Sequence, residues 1–453
     1  MNMTSDRLWD KGASIDALVH RFTVGDDPLW DAHLVHWDCI ASAAHVRTLE
    51  RARLLTADEC RALVAELATI DALAADGQFV ITPEQEDCHT AIEAHLTQRL
   101  GPTGAKVHCA RSRNDQVAVA MRLFLRHHAF VWFDAIQSAC AELLNRARRD
   151  GHIAIPGYTH LQPAMPSSVG QWCQAHLEGL LEQAAAVTDL LDRLDSCPLG
   201  TAAGFGVPIP LDRGLTAKLL GFSRSQRSPI DVQNSRGRME TYALRVAADV
   251  GRVLEKLSWD LILYVSSEFG FARLPEALTT GSSIMPQKRN PDVLELLRGR
   301  SARLRARLFE VEQISAKLPS SYHRDLQLTK EPAIRTALEL PEMLAVATRV
   351  IDGVEWLPET AAAKMGDELY ATHAALALVQ QGTPFRDAYR QIAEQVRSAD
   401  FRPASLAEWR QTDGRADATM LAEAAADLET RSQTIRTRRA QVQSAERALL
   451  TCP

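Results

Sequence analysis

Several features that would assign a sequence to a common functional class are missing from this chain of 453 residues. No run of about 18 consecutive apolar residues occurs, so we expect no membrane-spanning helix. The N-terminus lacks the basic and apolar stretches of a secretory signal, which favours a cytoplasmic location. The formal net charge is −6, and basic residues are interleaved with acidic ones, so we expect no nucleic-acid-binding surface.

Patterns typical of metal, disulfide and dinucleotide sites are absent as well. The 8 cysteines form no CxxC pair and the 14 histidines no HExxH motif, so we predict reduced thiols and no metal site. The sequence has no GxGxxG loop, no long alternating strand pattern and no internal repeat. Helical periodicity is therefore the main structural signal.

The sequence predicts a set of long helices. Residues 111–150 contain neither glycine nor proline and carry apolar residues at helical spacing, so we expect one helix of roughly 55–60 Å. Further helical patterns cover approximately residues 169–197, 238–269, 291–318 and 331–354. We expect Asn290 to cap the helix that starts at Pro291, and we expect the last helix to break near Pro341.

These patterns predict an all-α protein, an elongated bundle of long helices flanked by two smaller helical domains. We place an N-terminal helical domain at residues 1–105, the central bundle at 106–356 and a C-terminal helical domain at 357–453. A short β-hairpin is expected in the segment 198–210, which is rich in glycine and proline.

Four polar clusters lie in the breaks between the long helices, where rigid elements commonly support functional loops. They are HCARSRNDQVA (108–118), PGYTHLQPAMP (156–166), TGSSIMPQKRNPD (280–292) and SYHRDLQLTKEP (321–332). Taken alone, each has a structural explanation, such as a helix start, a satisfied histidine or a solvated loop. The third cluster is the most specific, because a flexible loop with a lysine before a helix N-terminus suits an anion.

In combination, these motifs identify a family. GSSIMPQKRNP is similar to the signature of the fumarase/aspartase superfamily, and the other three motifs resemble its argininosuccinate lyase branch. The resemblance implies a fumarase/aspartase-like fold and a carbon–nitrogen lyase that splits argininosuccinate into arginine and fumarate in arginine biosynthesis. It implies no metal and no organic cofactor. It also implies a homotetramer in which three subunits build each shared active site.

The resemblance assigns roles to individual residues. Ser282 is the expected base, with His160 as proton relay or acid, although the reverse assignment stays open. Lys288 is expected to supply positive charge, and Glu295 to pair with His160. The expected substrate contacts are Ser42, His89, Arg113, Asn114, Thr159, Gln162, Ser283, Asn290, Tyr322, Arg324, Gln327 and Lys330.

Some residues depart from the family pattern. Cys109 and Ala110 replace the usual Thr-Gly before RSRND, His323 replaces an asparagine, and RGRMETY (236–242) replaces an acidic run. These changes leave a modified argininosuccinate open as the substrate. A different fumarate-releasing lyase of the same fold and a catalytically silent, crystallin-like paralogue are also open. RSRNDQ and YHRDLQ argue against the former. The joint retention of four residues argues against the latter: Ser282, His160, Lys288 and Glu295.

The order of the helices also predicts where the motifs lie. If successive long helices alternate in direction, Asn114 and Tyr322 come to one end of the bundle. His160 and Ser282 then come to the other end, on the order of 55 Å away. A single substrate molecule cannot bridge that distance, so we expect antiparallel packing of identical chains to complete each site.

Overall fold

The computed structural model describes residues 16–403 and 418–451, and this part of the chain is mostly helical. The α-helices are α1 (Ala17–Val24), α2 (Asp27–Asp31), α3 (Val35–Arg51), α4 (Ala57–Ala75), α5 (Cys88–Leu100), α6 (Pro102–Ala105), α7 (Arg113–Asp150), α8 (Val169–Leu194), α9 (Arg213–Leu219), α10 (Pro229–Asn234), α11 (Arg238–Tyr264), α12 (Asp292–Ser315), α13 (Lys330–Gly353), α14 (Pro358–Ala363), α15 (Ala371–Gln380), α16 (Phe385–Arg397) and α17 (Ala418–Leu450). Two short antiparallel sheets pair β1 (Ala154–Thr159) with β2 (Gln162–Ser168) and β3 (Ala272–Arg273) with β4 (Glu355–Trp356).

The centre of the molecule is a bundle of α7, α8, α11, α12 and α13, which enclose one large apolar core. α7 and α13 run in the same direction, because Arg146 near the end of α7 donates to the carbonyl of Ile351 near the end of α13 at 2.9 Å. α7 and α8 run in opposite directions, since Arg122 near the start of α7 donates to the Ser196 carbonyl, just beyond the end of α8. These contacts agree with the predicted all-α bundle of alternating long helices.

The longest helix of the bundle is the one predicted over residues 111–150. α7 has 38 residues and spans roughly 57 Å at ~1.5 Å per residue. Ser112 caps its N-terminus, and the Asp115 side chain returns a hydrogen bond to the Ser112 amide, which forms a capping box. The two ends of this helix therefore define the two ends of the molecule.

Pro341 does not break its helix, contrary to the prediction, and lies inside the continuous α13. A proline has no amide hydrogen, so the carbonyl four residues earlier loses its helical donor. That carbonyl belongs to Ala337, and the Trp132 indole Nε1 of α7 donates to it at 3.2 Å. A side chain from a neighbouring helix thus replaces the missing bond.

The hairpin predicted in residues 198–210 is also wrong, because the structure has turns and no strand there. The buried Asp115 carboxylate accepts hydrogen bonds from the amides of Gly200, Thr201 and Ala202 at 2.8–3.1 Å. Those amides are therefore not available for a strand ladder. A hairpin forms instead at β1–β2, a segment that was expected to be a loop.

Several predicted helix ends need smaller corrections. The helix expected to reach residue 197 ends at Leu194, and the helix expected to reach residue 269 ends at Tyr264. Asn290 is not the cap of α12, which begins after Pro291 without a side-chain cap. The backbone of Asn290 instead exchanges two hydrogen bonds with Thr280, and this pairing fixes it outside the helix.

Smaller helices cover both ends of the bundle. The first six helices lie before α7, and α14–α16 follow α13, with a small apolar cluster that includes Ala154 and Tyr370. The last helix, α17, packs against α3, α4, α7, α8 and α9. The domain boundaries at residues 105 and 357 stay a prediction, and both terminal domains include residues outside the described ranges. Among the described helices, none combines the length and apolar character needed to cross a membrane.

Candidate active site

The tip of the β1–β2 hairpin presents His160. Thr159 pairs with Gln162 across the two strands, so His160 and Leu161 form a two-residue turn. Both have a positive φ, 54° and 57°, in the pattern of a type I′ turn, where asparagine and glycine are usual. A non-glycine residue held in this region costs on the order of 1–3 kcal/mol, and such strain is concentrated at functional sites. The histidine is exposed at this tip.

Aromatic packing brings the hairpin to the same end of the bundle as the Gly-Ser-Ser loop. The Tyr158 ring lies 5.2 Å from the Phe269 ring and 6.2 Å from that of Phe271, measured between centroids. Phe271 directly precedes β3, and the chain continues from there through a short 3-10 helix into the loop. The predicted arrangement of His160 and Ser282 at a common end is consistent with this path.

The loop that contains Ser282 is closed at its base. Thr280 and Asn290 form an antiparallel bridge with backbone hydrogen bonds of 2.8 and 3.1 Å. Within the loop, the Ser282 hydroxyl oxygen accepts hydrogen bonds from the amides of Ile284, at 3.4 Å, and Met285, at 3.2 Å. Two amide donors aimed at one serine oxygen favour a negatively charged oxygen over a neutral one.

The remaining predicted residues of this end lie in the hairpin, in the loop and in the first turn of α12. Ser283 and Lys288 are exposed, and Glu295 lies exposed in the first turn of α12. Within the described part of this one chain, no hydrogen bond or ion pair joins His160 to Glu295. The expected pairing of these two residues therefore stays a prediction.

At the opposite end of the bundle, Lys330 is buried in a charged cluster. Its ammonium lies 2.8 Å from an Asp27 oxygen and 2.6 Å from an Asp31 oxygen, and its side chain is only 1% exposed. Burial alone would lower the pKa of this ammonium, but Asp31 and Asp27 outweigh burial and raise the pKa well above its usual value. Lys330 thus ties α2 to the start of α13.

A second buried network of polar contacts includes Ser42 and His89. His89 Nδ1 lies 2.9 Å from an Asp38 oxygen, and Arg111 donates to the Ser42 hydroxyl at 2.8 Å. Burial would lower the pKa of His89, but the adjacent Asp38 raises it. The Arg111 guanidinium and the His89 imidazolium therefore hold Asp38 ionised in the interior, and the Asp38 carboxyl pKa is lowered in spite of its burial.

Arg113 is held by acids of the N-terminal layer. It contacts Glu86 at 3.1 Å and Asp87 at 3.4 Å, and it donates to the Thr90 hydroxyl at 2.7 Å. These contacts orient the first turn of α7, where Asn114 is half-buried. The RSRND motif is thus anchored on both sides, by Arg111 and by Arg113.

The YHRDLQ segment adjoins this cluster. Burial raises the pKa of the Tyr322 hydroxyl, and Arg324 donates to the Thr23 carbonyl at 2.8 Å. The Gln327 side-chain oxygen is buried and has no hydrogen-bond partner within residues 16–403 and 418–451. A buried amide oxygen without a hydrogen-bond donor costs free energy of folding. Such an oxygen is expected where a bound ligand supplies the donor.

Comparisons with known proteins show the family of this chain. A family described as "Lyase" matches residues 14–305. An argininosuccinate lyase of Sorangium cellulosum (strain So ce56) is 46% identical over 392 residues, which cover 86% of this chain and 91% of its own. One from Thermotoga neapolitana is 41% identical and covers 86% of this chain and 98% of its own. The chain belongs to the argininosuccinate lyase family.

The fold of this lyase-family member also matches solved structures. The crystal structure of EDDS lyase in complex with formate superposes with a TM-score of 0.80 at 22% sequence identity, and it covers 96% of this chain and 95% of that chain. At this identity the match speaks for the fold alone, and it confirms the fumarase/aspartase-like bundle.

Sequence reasoning missed the acids that hold the predicted basic residues of this lyase. Asp27, Asp31 and Asp38 each contact a residue that was predicted to bind substrate. Asp27 and Asp31 are four residues apart and lie on one side of α2, and this spacing could have revealed that pair, whereas Asp38 belongs to the separate helix α3. The motif analysis also gave no individual role to Arg111, which donates to the Ser42 hydroxyl in the structure.

One group of metal-binding residue types lies within the buried cluster of this lyase. Ligand atoms of Asp31, Cys88 and His89 lie within 4.8 Å of one another. The donor set does not fit a metal, because Asp31 already binds the Lys330 ammonium and His89 binds Asp38. Burial also raises the pKa of the Cys88 thiol well above its usual value, which disfavours the thiolate that a metal requires.

Proposed function

We propose that this chain is an argininosuccinate lyase that catalyses the reversible β-elimination of argininosuccinate to L-arginine and fumarate. The observation that carries the proposal is the 41–46% identity to named argininosuccinate lyases over most of both chains. The chain supplies the matching motifs at the two ends of its bundle. We assign it to arginine biosynthesis in the cytoplasm, with no metal or organic cofactor.

The reacting end of the site contains Ser282, His160 and Lys288. The reaction removes a proton from the carbon beside a carboxylate and breaks the adjacent carbon–nitrogen bond, with the electron pair leaving on the guanidino nitrogen. Ser282 acts as the base, and the two amide donors to its oxygen support that role because they stabilise the alkoxide. Lys288 stabilises the aci-carboxylate, and His160, tuned by Glu295, passes or supplies the proton. Thr159, Gln162, Ser283 and Asn290 line this end.

The arginine half of the substrate binds at the other end of the bundle. Asn114, Tyr322 and Gln327 contact it, and the unpartnered Gln327 oxygen supports this role since the substrate offers N–H donors. Arg324 lies at the rim of this subsite. Four further predicted residues support this subsite: Ser42, His89 and Lys330 are buried, and the partly exposed Arg113 pairs with Glu86 and Asp87.

A homotetramer would bring the two ends together. The 38 residues of α7 separate Asn114 from the His160 hairpin by roughly 57 Å, which no single substrate can bridge. Antiparallel packing of identical bundles sets one chain's start of α7 beside another chain's hairpin. Exposed large apolar side chains on α11, α12 and α13 support such packing, namely Trp259, Leu296, Phe309 and Leu338.

An absorbance assay for fumarate tests the proposal. The unmodified protein should release fumarate from argininosuccinate but not from adenylosuccinate or aspartate. Ser282→Ala should lower kcat by about 10³-fold, within the usual range for loss of a general base, and should still bind argininosuccinate in calorimetry.

The matched control is Ser267→Ala, an exposed serine near the same end of the bundle, which should leave kcat unchanged. Release of fumarate only from an N-acylated argininosuccinate would show that the substrate is modified. No fumarate from any of these compounds would contradict the proposed function.

A further inference from the structure

We infer that Arg236 is a positioning residue that fixes the substrate-binding segment 320–327 through its backbone. This inference rests on the proposed function, in which Tyr322 and Gln327 contact the arginine half of argininosuccinate. Arg236 is the first residue of RGRMETY, the stretch at which this chain departs from the family pattern. The departure thus has a structural consequence beside the substrate.

The contact between Arg236 and the segment is direct. Arg236 Nη2 donates to the Leu326 carbonyl at 3.0 Å, one residue before Gln327. Its side chain is only 2% exposed, and so is that of Glu240, whose carboxylate lies 3.5 Å from Arg236 Nε. Glu240 stands one helical turn later on α11 and orients the guanidinium towards the segment.

The neighbouring Asn234 fixes the other end of the same segment. Its side-chain oxygen accepts from the Ser321 amide at 2.7 Å, and its side-chain nitrogen donates to the Ser320 hydroxyl at 3.4 Å. Ser321 has a φ of 85°, an unfavourable value for a serine, and the Asn234 bond holds it there. Residues 234–236 therefore bind the segment on both sides of Tyr322.

Burial of the Arg236 guanidinium is not expected to stabilise the folded protein by itself. Removing a guanidinium from water is costly, and Nε and Nη1 of Arg236 have no hydrogen-bond partner among the described residues. The bond to the Leu326 carbonyl does fix a geometry, because the N–H groups of a planar guanidinium point in fixed directions, and the ion pair of Nε with Glu240 leaves Nη2 facing the segment. Burial of Tyr322 raises the pKa of its hydroxyl, and the positive charge of the nearby Arg236 counteracts that rise.

Arg236→Met tests the inference by kinetics, because it keeps the length of the side chain and removes the donor. If Arg236 acts through Gln327, the KM for argininosuccinate should rise on the order of tenfold while kcat changes less than about threefold. In a Gln327→Ala background the same substitution should add little further, since two residues that act as one unit are not additive. Arg236→Lys, which keeps the charge, should restore part of the loss.

The matched control is Arg238→Met. Arg238 lies two residues later in the same stretch, is 42% exposed and pairs with Asp231 rather than with the segment. Its loss should leave KM and kcat unchanged. A full additive effect of Arg236→Met in the Gln327→Ala background would overturn the inference, because it would mean that Arg236 acts by another route.

Hydrogen exchange of the unliganded protein provides a readout without turnover. In Arg236→Met the amides of residues 320–327 should exchange faster, whereas those of α7 should not change. Unaltered exchange in that segment would overturn the inference even if the enzyme is active. If the unmodified protein releases no fumarate, the proposed function fails, and the exchange comparison still decides whether Arg236 fixes the segment.

Discussion

At the scale of single residues, the structure adds most to Lys330, whose contact with substrate stays a prediction. The resemblance makes it a substrate contact, but its ammonium already lies between the Asp27 and Asp31 carboxylates in the interior. A lysine that satisfies two buried acids is needed for folding, because its removal leaves two like charges without a counterion.

We therefore expect Lys330→Met to destabilise the protein by on the order of 3–5 kcal/mol, the usual result of breaking a buried ion pair. The thermal midpoint, measured at fixed protein concentration, should fall clearly. Lys256→Met, at a lysine on the surface of α11, should leave the midpoint unchanged. A variant with an unchanged midpoint and a raised KM would instead assign Lys330 to direct substrate binding.

His128 should make stability depend on pH. Burial lowers the pKa of its imidazole to about 4, and the neighbouring His127 and His33 contribute to the same shift. The folded protein therefore keeps the ring neutral while the unfolded chain binds a proton below pH ~6.5. Stability should fall between pH ~6.5 and ~4 by on the order of 1–2 kcal/mol from this group, since the ring is only partly buried.

Denaturant titrations across this pH range would measure the effect. His128→Gln, which removes the titrating ring, should flatten the dependence, whereas His152→Gln, at an exposed histidine, should not. If both variants keep the dependence of the unmodified protein, other groups are responsible.

At the scale of elements, regular helices were predictable and local exceptions were not. The absence of glycine and proline in residues 111–150 predicts α7 almost to its ends, because helical periodicity is a local property. Pro341 lies within a continuous helix, and Trp132, more than 200 residues away in the chain, donates to the freed carbonyl. The hairpin turn at His160 is made by His160 and Leu161, which hold a positive φ under strain. The Asn-Gly pair that would predict such a turn is therefore absent from the sequence. Such features depend on distant contacts or on strain, and neither appears in local sequence.

The same reasoning applies to the candidate site. Motif resemblance proposed Ser282, His160 and the residues around Asn114 as candidates, because these groups lie in recognisable breaks between helices. It did not identify Asp31, Asp38 or Arg236, whose roles come from the partners that folding brings to them. Buried partners are chosen by three-dimensional neighbours, so a single sequence does not identify them.

The Ser282 loop should behave as a lid. The Thr280–Asn290 bridge fixes its base, and the residues between are mostly exposed. Few buried contacts mean low local stability. We expect the amides of residues 281–289 to exchange rapidly without ligand and at least about tenfold more slowly with saturating fumarate. Amides in the middle of α7 should serve as an unchanged reference, and equal exchange of the loop in both states would contradict a lid.

At the scale of the whole molecule, the length of the helices determines how a site can be assembled. Asn114 lies in the first turn of α7 and His160 follows its far end, and we propose that one chain contributes half a site at each end. Lys330 pairs with acids of its own chain and the two hairpin strands pair with each other, so each end has folding contacts of its own. A chain can therefore lose the function of one end without losing the structure of the other.

This independence leads to a complementation experiment. Asn114→Ala and His160→Ala should each be inactive, because each removes a group from one end of every site. When the two inactive proteins are unfolded, mixed and refolded together, some sites should combine an intact Asn114 from one chain with an intact His160 from another. If each site draws these residues from different subunits and mixing is random, roughly a quarter of the sites should regain both, and fumarate release should recover to a similar fraction. Asn114→Ala that is unfolded and refolded by itself is the control and should stay inactive. Mixed oligomers that are shown by mass to contain both variants, yet release no fumarate, would contradict the shared site.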